Sequence, residues 1–333
     1  MMLLAATTPR SPAVPARTSP PSELGVCWGQ RVGLAAMALG DSEQMPETAE
    51  VSSANSSSGL MLSEIWRYPI KSCRGERLSQ AQTTPEGLEG DRRFMVSTFG
   101  GRYQTQREQP ALATLQPRVD LSTGMLALSA SGQADFQGRV VATAGTTPAT
   151  IFSDRLEFFD QGKDVGRWLT RFLDGARGGL LPLFGVPSYK LLYARPSSGR
   201  RQGLSDLAPV LAICEESLFD LNARRATQGL PAVRMDRFRP NLVLRNCAPL
   251  EEDSWCGLTI GGVTFGVDGP CPRCTVPDVN QDTGRSDAAA VGPMKSLRAY
   301  RSRAGVGVLF GAYLSPMVQG VLSPGQPVTV KYC

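Results

Sequence analysis

The chain has 333 residues, 41% of them hydrophobic and 20% charged, which is the composition of an ordinary globular protein long enough for more than one packed unit. Its net charge of +5 comes without a dense Lys/Arg cluster, so nucleic acid is not an expected partner. Histidine is absent, which excludes serine–histidine and cysteine–histidine nucleophile pairs, HExxH zinc sites and histidine-ligated haem.

The first 58 residues differ in kind from the rest. Residues 1–40 contain Arg10, Arg17 and Arg31 with many Ser, Thr, Pro and Ala and a single acid, which resembles a transit peptide for the mitochondrion or the plastid. Residues 41–58 are acidic and Ser-rich, as an unstructured linker is. We therefore predict a disordered leader over 1–58 and an organellar location, with the cytoplasm expected if the leader does not act as a signal.

From residue 59 to 178 the pattern predicts mainly strands. The segments "LQPRVDL" and "MLALSA" flank the turn "STG" and predict a hairpin. Residues 164–175 space Val165, Trp168, Leu169 and Phe172 on one helical face. We predict a first unit over 59–178 built around a small sheet or barrel.

Residues 179–333 predict a second unit of strands with a few helices. It opens with the strand "YKLLYA", and "EESLFDLNARRATQG" and "GPMKSLRAYR" are predicted helices. Three further segments are predicted strands: "RFRPNLVLRN", "LTIGGVTFGV" and "VTVKY". The predicted fold class is mixed α+β and β-dominated, and no GxGxxG or P-loop follows a strand.

Eight cysteines are scattered without regular spacing, which indicates free thiols and a reducing compartment rather than a disulfide framework. No apolar run reaches the ~20 residues that span a bilayer, so no membrane span is expected.

Two of the cysteines, Cys271 and Cys274, form a Cys-x-x-Cys motif in "GPCPRCTVPDVNQDTG". The spacing alone leaves four interpretations open. The motif could be half of a zinc site, although no second pair of this kind exists, or a redox pair, although Pro277 blocks the regular helix that such a pair precedes. It could also supply one thiolate ligand to a soft metal, or consist of two structural cysteines.

Cations and small polar residues cluster where predicted strands begin or end. The clusters are Lys71 with Ser72, Arg92 with Arg93, and Arg237, Arg239 and Asn241. Arg recognises phosphate through paired donors and Lys as a point charge. Three such clusters beside an unusual cysteine segment predict an anionic cofactor together with a metal.

These motifs occur together in one known family. The chain resembles the MOSC-domain molybdenum enzymes, in particular the amidoxime-reducing proteins of mitochondria and their bacterial relatives, from about residue 61 to 332. The segments that carry the resemblance, in the family's order, are "YPIKSC", "GDRRF", "TQREQPALATL", "EESLFDLN", "RFRPNLVL", "EDSW", "IGGVTF", "CPRCTVPDVNQDTG" and "LFGAYL". The resemblance implies an N-terminal MOSC unit containing a β-barrel, followed by a MOSC-domain β-barrel with packing helices.

The resemblance also implies a site and an activity. Cys274 is expected to ligate the molybdenum of a molybdopterin cofactor, and the contacts to that cofactor are expected from Lys71, Ser72, Arg92, Arg239 and Asn241. Asp278 is a candidate for substrate contact in catalysis, with turn capping as the alternative. The implied reaction is the reduction of amidoximes and N-hydroxylated bases, with nitrite reduction as an associated activity.

Several positions depart from the family's pattern. Leu207 and Ala208 stand where small hydroxyl residues are common, and Cys214 replaces a common Ser. No iron–sulfur module follows residue 333, so the resemblance implies separate electron donors, namely a cytochrome b5 type carrier and its NADH-dependent reductase. The alternative function is a MOSC-type carrier of sulfur or of molybdenum cofactor without turnover.

Overall fold

Nineteen strands and three α-helices make up the part of the chain that the computed structural model describes, residues 59–143, 145–176, 187–195, 203–287 and 291–333. The predicted leader over 1–58 lies outside the described residues. The strands up to residue 160 are β1 (Met61–Arg67), β2 (Glu76–Leu78), β3 (Ala81–Thr84), β4 (Gly87–Leu88), β5 (Phe94–Thr98), β6 (Gln116–Asp120), β7 (Met125–Ala130), β8 (Gln133–Arg139), β9 (Thr146–Ile151) and β10 (Asp154–Asp160).

The later strands are β11 (Tyr189–Tyr193), β12 (Val210–Cys214), β13 (Leu242–Arg245), β14 (Trp255–Ile260), β15 (Val263–Arg273), β16 (Ser302–Arg303), β17 (Gly307–Val318), β18 (Val321–Leu322) and β19 (Val328–Tyr332). The helices are α1 (Lys163–Ala176), α2 (Glu215–Ala226) and α3 (Pro293–Arg301), and single 3₁₀ turns occupy Pro110–Thr114, Met235–Arg237, Glu251–Ser254 and Val276–Asp278. This β-dominated mixture of strands and helices confirms the predicted fold class.

The largest sheet has nine strands among the described residues, in the order β19-β14-β15-β17-β12-β13-β1-β2, with β16 paired to β17. The central strand β12, "VLAIC", is buried along its whole length, as a continuous apolar strand must be when both faces are covered. It runs parallel to β13 and antiparallel to β17. Strand β1 pairs with β13 and β19 forms one edge of the same sheet, so strands from both ends of the described chain share one sheet.

A second sheet has the order β5-β11-β10-β9. Strand β11, which the sequence places at the start of the second unit, lies between β5 and β10 of the first segment. Its two faces explain this position, because Leu191 packs in the core beneath α1 while Leu192 packs in a separate core on the opposite face. A strand that is apolar on both faces needs cover on both sides.

The helices form where the hydrophobic spacing predicts them. Helix α1 buries Val165, Trp168 and Leu169 against the β5–β11 sheet, and the predicted hairpin is present as β6 and β7. Helix α2 is followed by Gly229 with a φ of 67°, a left-handed conformation that glycine adopts without cost. Helix α3 begins at Pro293, whose fixed φ suits the first helical turn.

Cys256 and Cys333 form a disulfide, so the expectation of free thiols alone is wrong for this pair. The two residues are 77 positions apart in sequence, but β14 and β19 pair antiparallel and bring their Cα atoms to 5.1 Å. The free cysteines among the described residues are Cys73, Cys214, Cys247, Cys271 and Cys274. None of the helices in the described part of the chain combines the length and the apolar character that crossing a membrane requires.

Candidate functional site

Two of the cations singled out by the sequence, Arg92 and Arg239, meet around one buried aromatic ring. Tyr68 is 1% exposed, and the guanidinium carbons of Arg92 and Arg239 lie 4.8 and 4.3 Å from its ring centroid. The Tyr68 hydroxyl donates to the carbonyl of Pro240 at 3.1 Å. Burial raises the pKa of Tyr68, so the ring remains a neutral surface against which both guanidinium groups stack.

Arg92 is held by hydrogen bonds on both of its terminal nitrogens. Nη1 pairs with Asp91 and donates to Asn241 Oδ1 at 3.0 Å, and Nη2 donates to the carbonyl of Arg239 at 3.3 Å. Asp91 also accepts the backbone N–H of Tyr68 at 2.7 Å. The charge of Arg92 is therefore compensated by a buried carboxylate.

Arg239 is buried without such compensation. Its Nη1 donates to the carbonyl of Cys73 at 2.5 Å, while its Nη2 is buried and has no hydrogen-bond partner among the described residues. No acidic side chain of the described residues forms an ion pair with it. Burial lowers the pKa of Arg239 from its ordinary value, although a guanidinium stays charged at any physiological pH. An unpaired buried cation of this kind is the group that an anionic ligand would neutralise.

Lys71 is the third buried cation, 6% exposed. Its Nζ pairs with Asp206, donates to the carbonyl of Leu204 at 3.0 Å and lies 5.0 Å from the ring centroid of Phe152. Burial lowers the pKa of Lys71, while the Asp206 carboxylate opposes that shift.

The backbone at this site is unusual. Six non-glycine residues in the described part have a left-handed φ, and three of them are predicted cofactor contacts: Ser72 at 66°, Arg92 at 45° and Arg239 at 56°. A fourth, Phe152 at 54°, lies over Lys71. Such conformations are disfavoured for residues with a Cβ and concentrate at functional sites, so their convergence here supports a binding role.

Asn241 connects the strands beneath these cations. It is fully buried, and its Oδ1 accepts from Arg92 and from the backbone N–H of Leu211 at 3.2 Å, while its Nδ2 donates to the carbonyl of Trp66 at 3.2 Å. In this arrangement the amide joins β1, β12 and β13 and orients Arg92.

The two cysteines of the Cys-x-x-Cys motif occupy different environments. Cys271 lies within β15, is 2% exposed and receives a hydrogen bond from Arg273 Nη1 at 3.3 Å. Cys274 follows the last residue of the strand and is exposed. Strand β15 accommodates Pro270 and Pro272 because its pairing with β17 is interrupted by bulges at these positions. Of the two cysteines in the motif, Cys274 is the one that a ligand can reach.

The segment after Cys274 is tied to the cation cluster by paired side chains. Gln106 and Gln281 exchange hydrogen bonds at 3.1 and 3.3 Å, and Gln106 also donates to the carbonyl of Ser72 at 2.8 Å. Arg74 reaches Asp282 at 3.0 Å. Arg273 Nη2 donates to the carbonyl of Phe238, next to Arg239, at 2.6 Å. The segments around residues 72, 239 and 281 therefore form one connected region.

Asp278 is buried rather than presented to solvent. It is 2% exposed, and its Oδ1 accepts the backbone N–H of Met294 in the first turn of α3 at 3.0 Å. Burial raises its pKa above the ordinary value, and the Met294 hydrogen bond opposes that shift. The contact caps the start of α3 rather than the turn that contains Asp278, which the alternative expected, and the assignment of Asp278 to catalysis stays a prediction.

The departures from the family's pattern occupy three environments. Leu207 is 66% exposed, Ala208 is buried and Cys214 lies fully buried at the end of β12. Tyr68, Asp91, Asp206 and the Gln106–Gln281 pair were not predicted from the sequence. The only available signal was position, because Tyr68 precedes Pro69 in the strand end that presents Lys71, and Asp91 precedes Arg92. Among the described residues, no group of three or more Cys, Asp or Glu is arranged to hold a metal ion.

Comparisons with known proteins identify both parts of the described chain. Residues 59–176 match the model of the MOSC N-terminal beta barrel domain, and residues 199–329 match that of the MOSC domain. Mitochondrial amidoxime reducing component 2 of Rattus norvegicus is 32% identical over 287 residues, which are 80% of this chain and 82% of the rat protein.

Two further similarities are weaker. Molybdenum cofactor sulfurase of Oryza sativa subsp. japonica is 30% identical over 280 residues, 79% of this chain but 33% of the rice protein. Among solved structures, the YUAD protein of Bacillus subtilis is 9% identical, covers 83% of this chain and 97% of its own, and has a TM-score of 0.35, too low to support an argument. The two matched domains and the relationship to the rat protein over most of both chains show that this chain belongs to the MOSC-domain family that includes the mitochondrial amidoxime reducing components.

Proposed function

We propose that the protein is a molybdenum-cofactor-dependent oxidoreductase that reduces N-oxygenated compounds such as amidoximes and N-hydroxylated bases, in the manner of N-reductive detoxification. The observation that carries the proposal is the unpaired Nη2 of Arg239, a buried cation in the same connected region as the exposed Cys274. A molybdopterin bears a phosphate and a metal, so it needs both an anion-binding group and a soft ligand.

The residues present fit the phosphate of such a cofactor. Arg239 offers a free guanidinium nitrogen, and Lys71 offers an ammonium group whose paired carboxylate, Asp206, is half exposed and able to turn away. Arg92 is orientated by Asn241 and Asp91. Ser72, with its left-handed backbone, completes the predicted set. We propose that these residues hold the cofactor, with Asn241 acting as the residue that positions Arg92.

Cys274 is proposed as the ligand to molybdenum and Cys271 as a structural residue. Exposure supports this division, because Cys271 is enclosed in the core with Arg273 over its sulfur, whereas Cys274 is open to a ligand. The chemistry supplied by the cofactor when bound is two-electron reduction with removal of the substrate oxygen as water. The chain's own part is to bind the cofactor, to present one thiolate and to orient the substrate.

The partners and location follow from the family and remain part of the proposal. The electrons are proposed to come from separate proteins, a cytochrome b5 type carrier and its NADH-dependent reductase. The relatives named for mitochondria favour that organelle. The plastid is the alternative for the predicted leader.

Metal and pterin analysis of matched cysteine variants tests the proposal. Wild type, Cys274→Ser and Cys271→Ser are purified from a molybdenum-replete host, and reduction of an aromatic amidoxime is followed with a reduced dye as electron donor. We expect near-stoichiometric molybdenum and pterin in wild type, no turnover in Cys274→Ser and a substantial part of the turnover in Cys271→Ser.

Two outcomes would contradict the proposal. Loss of turnover at Cys271 with Cys274 dispensable would reverse the ligand assignment. One equivalent of zinc, or a metal-free protein with a titratable disulfide between the two cysteines, would exclude the molybdenum reductase.

A second candidate is a carrier of sulfur or molybdenum cofactor without turnover. The carrier function is supported by the similarity to the rice molybdenum cofactor sulfurase, although this chain spans only about a third of that protein. Cyanide-labile sulfur on Cys274 in metal-free protein, with no amidoxime reduction by the cofactor-loaded protein, would select the carrier.

A further inference from the structure

Asp282, in the segment that follows Cys274, accepts hydrogen bonds from two arginines of different segments. Its Oδ1 accepts from Arg74 Nη2 at 3.0 Å, and its two carboxylate oxygens accept from the paired nitrogens of Arg234 at 3.0 and 2.8 Å. The hydrogen bond from Arg234, followed by that from Arg74, lowers the pKa of Asp282, so the carboxylate is ionised at physiological pH. Asp282 is thus the shared acceptor of a small ionic cluster.

The two arginines belong to the segments that carry the buried cations. Arg74 is in the segment of Lys71, and Arg234 precedes the short 3₁₀ turn that leads to Arg239. One carboxylate therefore links the segment after the proposed metal ligand to both segments that are proposed to hold the anionic part of the cofactor.

The turn that carries Asp282 is itself held in one conformation. The Asn280 side chain accepts the backbone N–H groups of Asp282 at 2.9 Å and of Thr283 at 3.2 Å. Gly284 has a left-handed φ of 61°, and a Cβ at this position would lie 3.0 Å from the Cα of Ala111. The carboxylate is therefore presented to the arginines by a closely packed turn.

A second ion pair joins the segments of Arg239 and Cys274 closer to the interior. Arg237 Nη2 contacts Asp287 Oδ2 at 2.7 Å, and these side chains are 12% and 25% exposed, against 52% for Asp282. Dissolved ions therefore screen the Asp282 cluster more strongly than the Arg237–Asp287 pair. Removing the outer cluster should loosen the segment while the inner pair keeps it attached.

We propose that Asp282 is a positioning residue, and that its ion pairs with Arg74 and Arg234 form a clasp that holds the segment after Cys274 against the segments of the buried cations. This inference rests on the proposed function, because a cofactor held at one end by the thiolate and at the other by the cations requires a fixed spacing between them. Two linked attachments retain a ligand more strongly than either alone, provided that the geometry allows both at once. The clasp preserves that geometry and so slows the release of the cofactor.

The rate at which the full-length, cofactor-loaded protein releases its pterin tests the proposal. Wild type, Asp282→Asn and Asp282→Glu are transferred into buffer with about 0.05 M or about 0.5 M NaCl, and the released pterin is followed by its fluorescence after oxidation. At the lower salt concentration we expect Asp282→Asn to release pterin about threefold faster than wild type, a modest factor because exposed ion pairs are individually weak. Asp282→Glu, which keeps the charge, should recover most of the retention. At the higher salt concentration the rates of wild type and Asp282→Asn should converge, since salt screens the clasp.

Asp164→Asn is the matched control, because Asp164 forms an exposed ion pair with Arg167 in α1 at 2.6 Å. This variant should release pterin at the wild-type rate at both salt concentrations. Equal rates in wild type and Asp282→Asn at the lower salt concentration would overturn the proposal. Faster release from Asp282→Asn by the same factor at both salt concentrations would also overturn it, because a purely structural defect is not screened by salt.

Hydrogen exchange of the full-length, cofactor-free protein tests the clasp without any bound group. At the lower salt concentration we expect the backbone amides of residues 275–287 to exchange faster in Asp282→Asn than in wild type, and those of β12 to be unchanged. Unchanged exchange over 275–287, or faster exchange throughout the protein, would overturn the clasp. Because this measurement needs no cofactor, failure of this inference and failure of the proposed function are distinguishable.

Discussion

Arg239 carries a buried positive charge that the described part of the protein does not neutralise. Its neighbours include a carbonyl oxygen, the Tyr68 ring and the guanidinium of Arg92, and the last of these repels it. A buried ion without a counter-charge destabilises the folded protein, and burial accordingly lowers the pKa of Arg239. A residue that costs stability and gains a partner only from an anion is suited to ligand binding.

We expect Arg239→Gln to reduce cofactor retention while leaving the cofactor-free protein folded. Loss of a charge-assisted hydrogen bond of about 1.5–3 kcal/mol corresponds to a fall in affinity of at least about tenfold. The free energy of unfolding without cofactor should stay within about 1 kcal/mol of wild type, because relief of the buried charge offsets the lost bond to Cys73. Pterin content of the purified variant and urea unfolding measure the two quantities.

Arg245→Gln is the matched control, since Arg245 is exposed in the following strand β13. It should change neither pterin content nor stability. A cofactor-free Arg239→Gln protein destabilised by several kcal/mol would instead indicate that Arg239 is a structural residue.

Single residues illustrate which parts of the site a sequence can reveal. The segments "GDRRF" and "RFRPN" contain Arg92, Arg239 and Asn241, which lie in contact in the structure, and they stand out in the sequence because cations at strand ends are visible in the pattern. That Asn241 uses its amide to hold Arg92, Leu211 and Trp66 depends on partners up to 175 positions away. Partner choice over such distances follows from strand pairing, which local patterns do not encode.

At the scale of an element, the start of α3 depends on a residue from a different segment. Gly292 is the N-cap of the helix and has no side chain to offer an acceptor, so Asp278 supplies one to the N–H of Met294. A Cβ at position 292 would lie 2.2 Å from Asp278 Oδ1, so glycine is required for this close approach. The helix itself was predictable from its periodicity, whereas this distant cap was not.

We expect Asp278→Ala to lower the free energy of unfolding by about 1–2 kcal/mol, since the first turn of α3 loses an acceptor. Asp278→Asn keeps an acceptor and should be at least as stable as wild type at neutral pH. Burial raises the pKa of Asp278, so the folded protein binds this proton more tightly and the carboxylate costs stability as pH rises past its ordinary pKa. Urea unfolding across pH measures both effects.

Lys295→Ala, an exposed change in the same helix, should alter stability by no more than about 0.5 kcal/mol. The same variants separate the two roles considered for Asp278. If Asp278 acts in catalysis, Asp278→Asn loses turnover at unchanged stability. Unchanged turnover in a stable Asp278→Asn protein would leave capping as its role.

At the scale of the whole molecule, strands from either side of the boundary predicted near residue 178 join the same sheets. β11 comes from residues 189–193 but completes the sheet of the first segment, and β1 comes from residues 61–67 but extends the sheet of the second. All described residues accordingly belong to one compact unit. The sequence predicts β11 as a strand but places it at the start of the second unit, because its apolar pattern indicates burial on both faces without indicating between which neighbours.

The position of β11 predicts that the first segment does not fold alone. A fragment of residues 59–178 lacks β11, so β5 and β10 lose the strand between them and the core beneath α1 loses Tyr189, Leu191 and Tyr193. β1 also loses its partner β13. We expect this fragment to show no cooperative thermal transition by circular dichroism, whereas residues 59–333 should unfold in a single transition. A cooperatively folded 59–178 fragment would contradict this expectation. It would instead make the boundary near residue 178 that of an autonomous domain, with β11 docking as an addition to a sheet that is already stable.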